Sequence, residues 1–292
     1  MRHAHAFRRQ WRSLVRFGII LASSFVLATA CIAQSAASAP TTQAQELRDF
    51  ANNPALLTEF GRLIEKLGQN VKYPPARNTS HLLPLMPEST LFYAAFPNYG
   101  EAAHQALTVF RQELQESSVL RDWYQRGEVA GVGGKAEYFL NKVYELSQFL
   151  GDEIVVSAST LDKPPSVIIV ADISKPGLKK FLQETIGELA GHSRSGVDVL
   201  DPQELASAVD HDPAPDLLVL VRPDFVVVAL DLTTLRSFNA RLDRKPSEFA
   251  ATPFGQRVVQ GYQGGITTIT AANAQKILSE IPRGSGPDGQ PY

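Results

Sequence analysis

Apolar positions recur at helical spacing after Asn53-Pro54: Leu56, Leu57, Phe60, Leu63, Ile64 and Leu67 fall on one face, and Gly68 closes the run. Asn53 supplies a cap and Pro54 a first-turn proline. Lys72 to Ser80, with Pro74-Pro75, reads as a linker. Thr90 to Phe96 has the apolar run of a strand, closed by Pro97-Asn98. Helical spacing returns over 100–115 through Ala103, Ala106, Leu107, Phe110 and Leu114. Ser117 caps a second helix carrying Val119, Leu120, Trp123 and Tyr124. Glycines at 127, 131, 133 and 134 predict a flexible break before a third helix over 135–149.

Strand patterns dominate the second half of the chain. Residues 153–159 and 166–173 flank Asp162-Lys163-Pro164-Pro165 and predict an antiparallel hairpin. An amphipathic helix over 175–189 leads to a short strand at 197–200 and a helical turn at 202–209. Leu217 to Val221 and Phe225 to Leu230 are apolar at every position, which suits central strands covered on both faces. Helices at 233–241 and 253–260, a strand at 266–271 and a helix at 274–281 complete the series.

This order predicts an α+β protein: a mixed or antiparallel sheet with helices on one face. From 90 to 221 it matches a split βαβ unit. A partial second copy comes after it. Pro87 to Phe96, then Ser117 to Leu120, then Trp123 to Gly127 align with Arg222 to Leu230, Thr252 to Phe254, and Gln260 to Gly264. Both read as related strand–helix–helix–strand units, with an extra helix before the next strand, at Glu153, in the first copy. The expected organisation is a signal peptide at 1–30, a tether with an accessory helix at 31–80, an α+β domain at 81–282 and a disordered tail at 283–292. The domain holds repeat units at about 81–221 and 222–282.

The leader reading rests on Arg2, Arg8, Arg9, Arg12 and Arg16, followed by an apolar run from Phe17 to Ala30. At 14 residues the run is shorter than the ~20 of a spanning helix. Ala28-Thr29-Ala30 fits the small-x-small rule of signal peptidase, with cleavage after Ala33 a poorer fit. Cys31, the only cysteine, also stands where a bacterial lipoprotein carries its lipidated residue; Ala28 replaces the usual leucine of that motif. An uncleaved anchor is a third possibility. The chain is thus expected in the periplasm, or held to a bacterial envelope by a lipid anchor on Cys31. Without the five arginines of the leader, 23 basic residues face 30 acidic ones, a net charge of −7. That balance argues against nucleic acid as a partner.

Leu83-Pro84-Leu85-Met86-Pro87-Glu88-Ser89-Thr90-Leu91-Phe92-Tyr93 resembles the opening of an uncharacterised family of bacterial exported proteins, a domain of unknown function. Ser117 to Leu120, Leu150 to Val156 and Thr252 to Phe254 are similar to later landmarks of that family. The resemblance implies an envelope location and a mixed sheet. It brings no activity and no catalytic residue.

Candidate chemistry is sparse. Gly131-Val132-Gly133-Gly134-Lys135 misses the phosphate-loop register, with Val129 and Ala136 at the positions that should be glycine and Ser or Thr. Asp210 and Asp212 are the candidate ligands for a hard cation, within an acidic stretch that includes Asp198, Asp201 and Asp216. Asp152 and Glu153 place two carboxylates at a strand entrance; acid–base work and a polar strand edge are both open. Trp123, Tyr124, Phe139, Tyr144 and Phe149 suit core packing or an apolar groove. No catalytic or cofactor-binding residue is assigned, and no cofactor is expected. The leading expectation is a non-enzymatic binding or assembly module. The alternative is a periplasmic hydrolase or metal-dependent enzyme, favoured if Asp152, Glu153, His104 or the acidic 198–216 loop converge in one cleft. The 266–271 strand has no later strand to pair with. It is therefore the expected site of self-association or of contact with an envelope partner.

Overall fold

The computed structural model describes residues 53–125, 127–159, 166–190, 196–210, 215–243 and 248–280. The leader, Cys31, Asp212 and the 283–292 tail lie outside them. The chain divides into two compact units, Met1–Lys66 with Gln112–Val129, and Leu67–Arg111 with Ala130–Tyr292.

In the first unit, α1 (Pro54–Asn70) starts as its sequence requires: the Asn53 side chain accepts from the Leu56 amide at 3.1 Å. Leu56 and Leu63 are buried, whereas Ile64, on the same predicted face, is 67% exposed. Phe60 meets Trp123 edge to face at 4.9 Å. The buried Glu113 and the exposed Glu116 both pair with Lys66. The Ser117 hydroxyl accepts from the Leu120 amide and opens α3 (Ser118–Tyr124).

The second unit is built on a sheet that has seven strands among the described residues, in the order β4-β5-β6-β3-β2-β1-β7. These are β1 (Thr90–Pro97), β2 (Leu150–Ser159), β3 (Ser166–Ile173), β4 (Val197–Leu200), β5 (Leu217–Val221), β6 (Phe225–Ala229) and β7 (Ile269–Ala272). Only β4 and β5 pair in parallel; the other neighbours are antiparallel, so the sheet is mixed. The helices are α2 (Gly100–Glu116), which begins here, α4 (Gly127–Ser147), α5 (Leu178–Ala190), α6 (Pro202–Ser207), α7 (Leu232–Leu242), α8 (Pro253–Gln263) and α9 (Ala274–Glu280). No helix among the described residues is long and apolar enough to cross a membrane.

The α+β class is as expected, but the helices cover both sheet faces rather than one. Alternate strand residues enter different cores. Val170, Leu218, Leu220 and Val227 pack with Leu235, Phe238, Phe254 and Val258 of α7 and α8. Ala171, Val219 and Val226 pack with Leu178, Phe181 and Leu182 of α5 and with Leu146 and Phe149. The all-apolar β5 and β6 require this, because neither of their faces tolerates water.

The split βαβ arrangement does not form. β1 and β2 are direct antiparallel neighbours, with Tyr93 opposite Ser157 and Ala95 opposite Val155, so no parallel crossover joins them. Of the two stretches aligned as a repeat, the first sets three helices, α2, α3 and α4, between β1 and β2, which are neighbours in the sheet; the second sets α7 and α8 between β6 and β7, which are not. The glycine-rich segment at 131–134 is not a break either: α4 runs through it. Each glycine costs about 1 kcal/mol against alanine in a helix, a sum that the rest of a 21-residue helix offsets.

β7 forms one edge of the sheet, and its pairing is fully specified. The Asn273 amide donates to the Leu91 carbonyl at 2.7 Å, one step beyond the Phe92–Ala272 pair. Hydrogen-bonded pairs alternate in an antiparallel ladder. Ala271 therefore bonds Tyr93 and Ile269 bonds Ala95, which turns the backbone groups of Thr270 and Ala272 away from β1. On the other side of β1, the Asn98 amide donates to the Asp152 carbonyl, so Phe92, Ala94 and Phe96 serve β2 by the same alternation.

Candidate functional site

Alternation along β2 places Glu153, Val155, Ser157 and Ser159 on one buried face. A carboxylate buried among apolar residues needs partners, and two chain segments supply them. The Ser80 hydroxyl donates to Glu153 Oε2 at 2.6 Å, and the Tyr262 hydroxyl to Oε1 at 2.7 Å. The Arg77 guanidinium pairs with Oε1 at 2.7 Å. Tyr93 completes the group, 2.9 Å from the Tyr262 hydroxyl and 3.3 Å from Ser80. Burial is the largest cause raising both phenols well above their ordinary value of 10.0, with the Glu153 charge adding to it. Both tyrosines therefore stay neutral and act as donors.

Arg77 is fixed from several sides. Its backbone exchanges hydrogen bonds with Ile266 in an isolated antiparallel bridge. Its terminal nitrogen donates to the Thr267 carbonyl at 3.0 Å, and its guanidinium lies 5.9 Å from the centre of the Tyr262 ring. The ion pair with Glu153 is close, but the N–H directions do not make it a hydrogen bond, and among the described residues Nε and Nη1 have no hydrogen-bond acceptor. The 72–80 stretch, expected as a linker, is thus held to the sheet through Arg77 and Ser80. Gly265, at φ +73°, allows the turn into this bridge.

Above this group lies a cleft of about 460 Å³ lined by Arg77, His81, Asp152, Glu153 and Asp172, among others. Gly151 is needed there: a Cβ on it would lie 2.9 Å from the Asp172 Cβ. Burial is the main cause raising the Asp172 carboxyl above its usual range; the Glu153, Asp152 and Asp224 charges add to it and His81 opposes it.

The residues expected to converge do so only in part. Asp152 and Glu153 share the cleft, joined by Asp172 and His81, which sequence reading missed. His81 and Asp172 are too far apart in the chain for spacing to signal their meeting, though two-residue periodicity along β3 puts Asp172 on the face of Ile168 and Val170. His104 is elsewhere, its ring stacked on Tyr144 at 4.0 Å. Asp201 caps α6 by accepting from the Gln203 and Glu204 amides and pairs with Lys179. Asp210 is exposed, and Asp212 lies outside the described residues. Among the described residues no group of three His, Cys, Asp or Glu side chains is placed to hold a metal ion. Of the aromatic set, Trp123, Tyr144 and Phe149 pack against other rings, while Phe139 is 56% exposed.

No family model, curated protein or solved structure matches this chain.

Proposed function

We propose that the chain is a non-enzymatic binding module of a bacterial envelope that takes up the strand of a partner on the edge of β7. The observation that carries this reading is the outward direction of the Thr270 and Ala272 backbone groups on an edge strand whose two residues are exposed. Unpaired backbone groups on an edge are a template for strand addition. The basic and apolar leader supports the envelope location. Glu153 is engaged by Ser80, Tyr262 and Arg77 together, which suits a structural clamp better than a general base. The first partner to test is a second copy of this chain.

Sedimentation of the full chain is the direct test. Self-association is expected to rise with concentration and to be weakened by Thr270→Pro, which removes an outward donor and leaves the β1 ladder in place. A monomeric wild-type chain whose 270 and 272 amides are strongly protected from hydrogen exchange would overturn the reading. The hydrolase reading is favoured instead if turnover of an ester or peptide substrate is lost in Asp172→Asn with the fold intact.

A further inference from the structure

A second cleft, of about 860 Å³, opens where β1 begins and β7 ends. Its walls include Ser89, Arg241 at the end of α7, Phe254 at the start of α8, and Asn273 and Lys276 beyond β7. Two features of this cleft lack an internal explanation. Ser89 Oγ and Arg241 Nε are both out of contact with water and have no hydrogen-bond partner among the described residues. Buried polar atoms normally find partners, and one left without destabilises the fold. Neither Arg241 nor Lys276 enters an ion pair among the described residues. Arg222, by contrast, pairs with Asp224 and Asp243. Among the described lining residues Glu88 is the sole carboxylate, so the two cations outnumber it.

We propose that this cleft binds a small organic ligand through an oxyanion group, a carboxylate or a phosphate. Arg241 supplies a planar fork of donors suited to two oxygens of one group. Lys276 adds a second positive charge. Phe254 and Pro253 form an apolar wall for the body of the ligand. The Thr252 hydroxyl is not a further donor, since it already donates to the Phe249 carbonyl while accepting from the Gly255 amide. This site is independent of strand addition at β7.

The test is calorimetric titration of the full chain with inorganic phosphate and, separately, with citrate, at fixed ionic strength with chloride as the reference anion. Saturable binding of at least one probe is expected. Phosphate alone indicates a phosphoester ligand, and citrate alone a carboxylate ligand. Arg241→Gln should weaken the binding by about 10- to 100-fold, the loss of a charged hydrogen bond. Lys276→Gln should weaken it less, and more so at low salt. In the absence of ligand, Arg241→Met should leave the melting temperature unchanged or raise it, because the replaced group has no internal partner. A fall of several degrees in that variant would overturn the proposal by revealing a structural role. So would the absence of saturable binding by both probes, or binding indifferent to both Arg241→Gln and Lys276→Gln.

Discussion

Tyr93 and Tyr262 meet hydroxyl to hydroxyl at 2.9 Å, although 169 residues separate them in the chain. Tyr262 has one proton and gives it to Glu153. The shared contact must therefore carry the Tyr93 proton toward Tyr262, and the longer contact of Tyr93 with Ser80 is secondary. The result is a directed series of neutral donors ending on one buried carboxylate. It joins β1, β2, α8 and the 77–80 segment at a single point.

That direction sets an order of effects. Tyr262→Phe removes a hydrogen bond to a charged group and should cost about 1.5–3 kcal/mol. Tyr93→Phe removes a neutral one and should cost about 0.5–1.5 kcal/mol. The double variant should cost less than the two together, because Tyr93 has no acceptor in Tyr262 once that hydroxyl is gone. Urea denaturation of the four proteins measures all three quantities. Equal single effects that simply add would contradict the direction of the series.

Glu153→Ala should be more damaging, at about 3–5 kcal/mol, since it strands the Arg77 guanidinium, only 15% exposed, without its counter-charge. Replacing both partners, Glu153→Leu with Arg77→Leu, should recover part of the loss. Denaturation midpoints of the single and double variants check this, and a double variant worse than Glu153→Ala would show that the charges matter beyond each other.

Much of the fold was legible because local rules fixed it. The Asn53 and Ser117 caps, the hairpin of β2 and β3, and the all-apolar β5 and β6 each follow from residue type and spacing. Pairing order was not legible. Nothing within 90–159 says that β1 and β2 lie side by side, since that depends on which faces the intervening helices leave open. The site was half visible: Glu153 stood out as a carboxylate in a strand, but Arg77 was hidden in a proline-rich stretch that looked like a linker. Tyr262 was hidden just past the expected 253–260 helix, in a stretch read only as part of the repeat.

The raised Asp172 carboxyl makes a prediction with a definite sign. Its native state holds a proton more tightly than the unfolded chain does. Between the unfolded value near 3.8 and the raised folded value, the native state therefore binds more protons, and stability falls as pH rises. Asp172→Asn removes that slope. It should be more stable than wild type at neutral pH, with the difference closing below the unfolded value. Thermal unfolding from acid to neutral pH tests it, and a variant less stable at neutral pH would assign Asp172 a favourable partner.

Gly255 sits in the first turn of α8 against the 3-10 turn of Glu248–Ala251. A Cβ there would lie 1.8 Å from the Phe249 carbonyl oxygen, which is backbone and cannot swing aside. Phe249 is fully buried, packed against Tyr93 and Phe254. Gly255→Ala should therefore cost at least the 1–3 kcal/mol typical of overpacking, about 3 kcal/mol here, and displace Tyr262 on the same helix. Loss of denaturation midpoint together with a changed Tyr262 environment would confirm the linkage; a neutral substitution would refute the close approach.

The two prolines that could be placed in β7 should behave differently, and the contrast isolates the edge. Ile269 bonds inward to Ala95, a residue with no solvent exposure. Ile269→Pro would leave the Ala95 carbonyl without its donor in a buried setting and should cost about 1–3 kcal/mol. Thr270 points its amide outward, so Thr270→Pro should leave the monomer close to wild-type stability. Hydrogen exchange on the wild-type chain should follow the same alternation, with the 269 and 271 amides protected and those of 270 and 272 exchanging fast when the edge is unoccupied. Protection of 270 and 272 that grows with protein concentration would mark the edge as the contact between copies. Equal destabilisation by the two prolines would mean that β7 is covered on both sides, and strand addition there would fail.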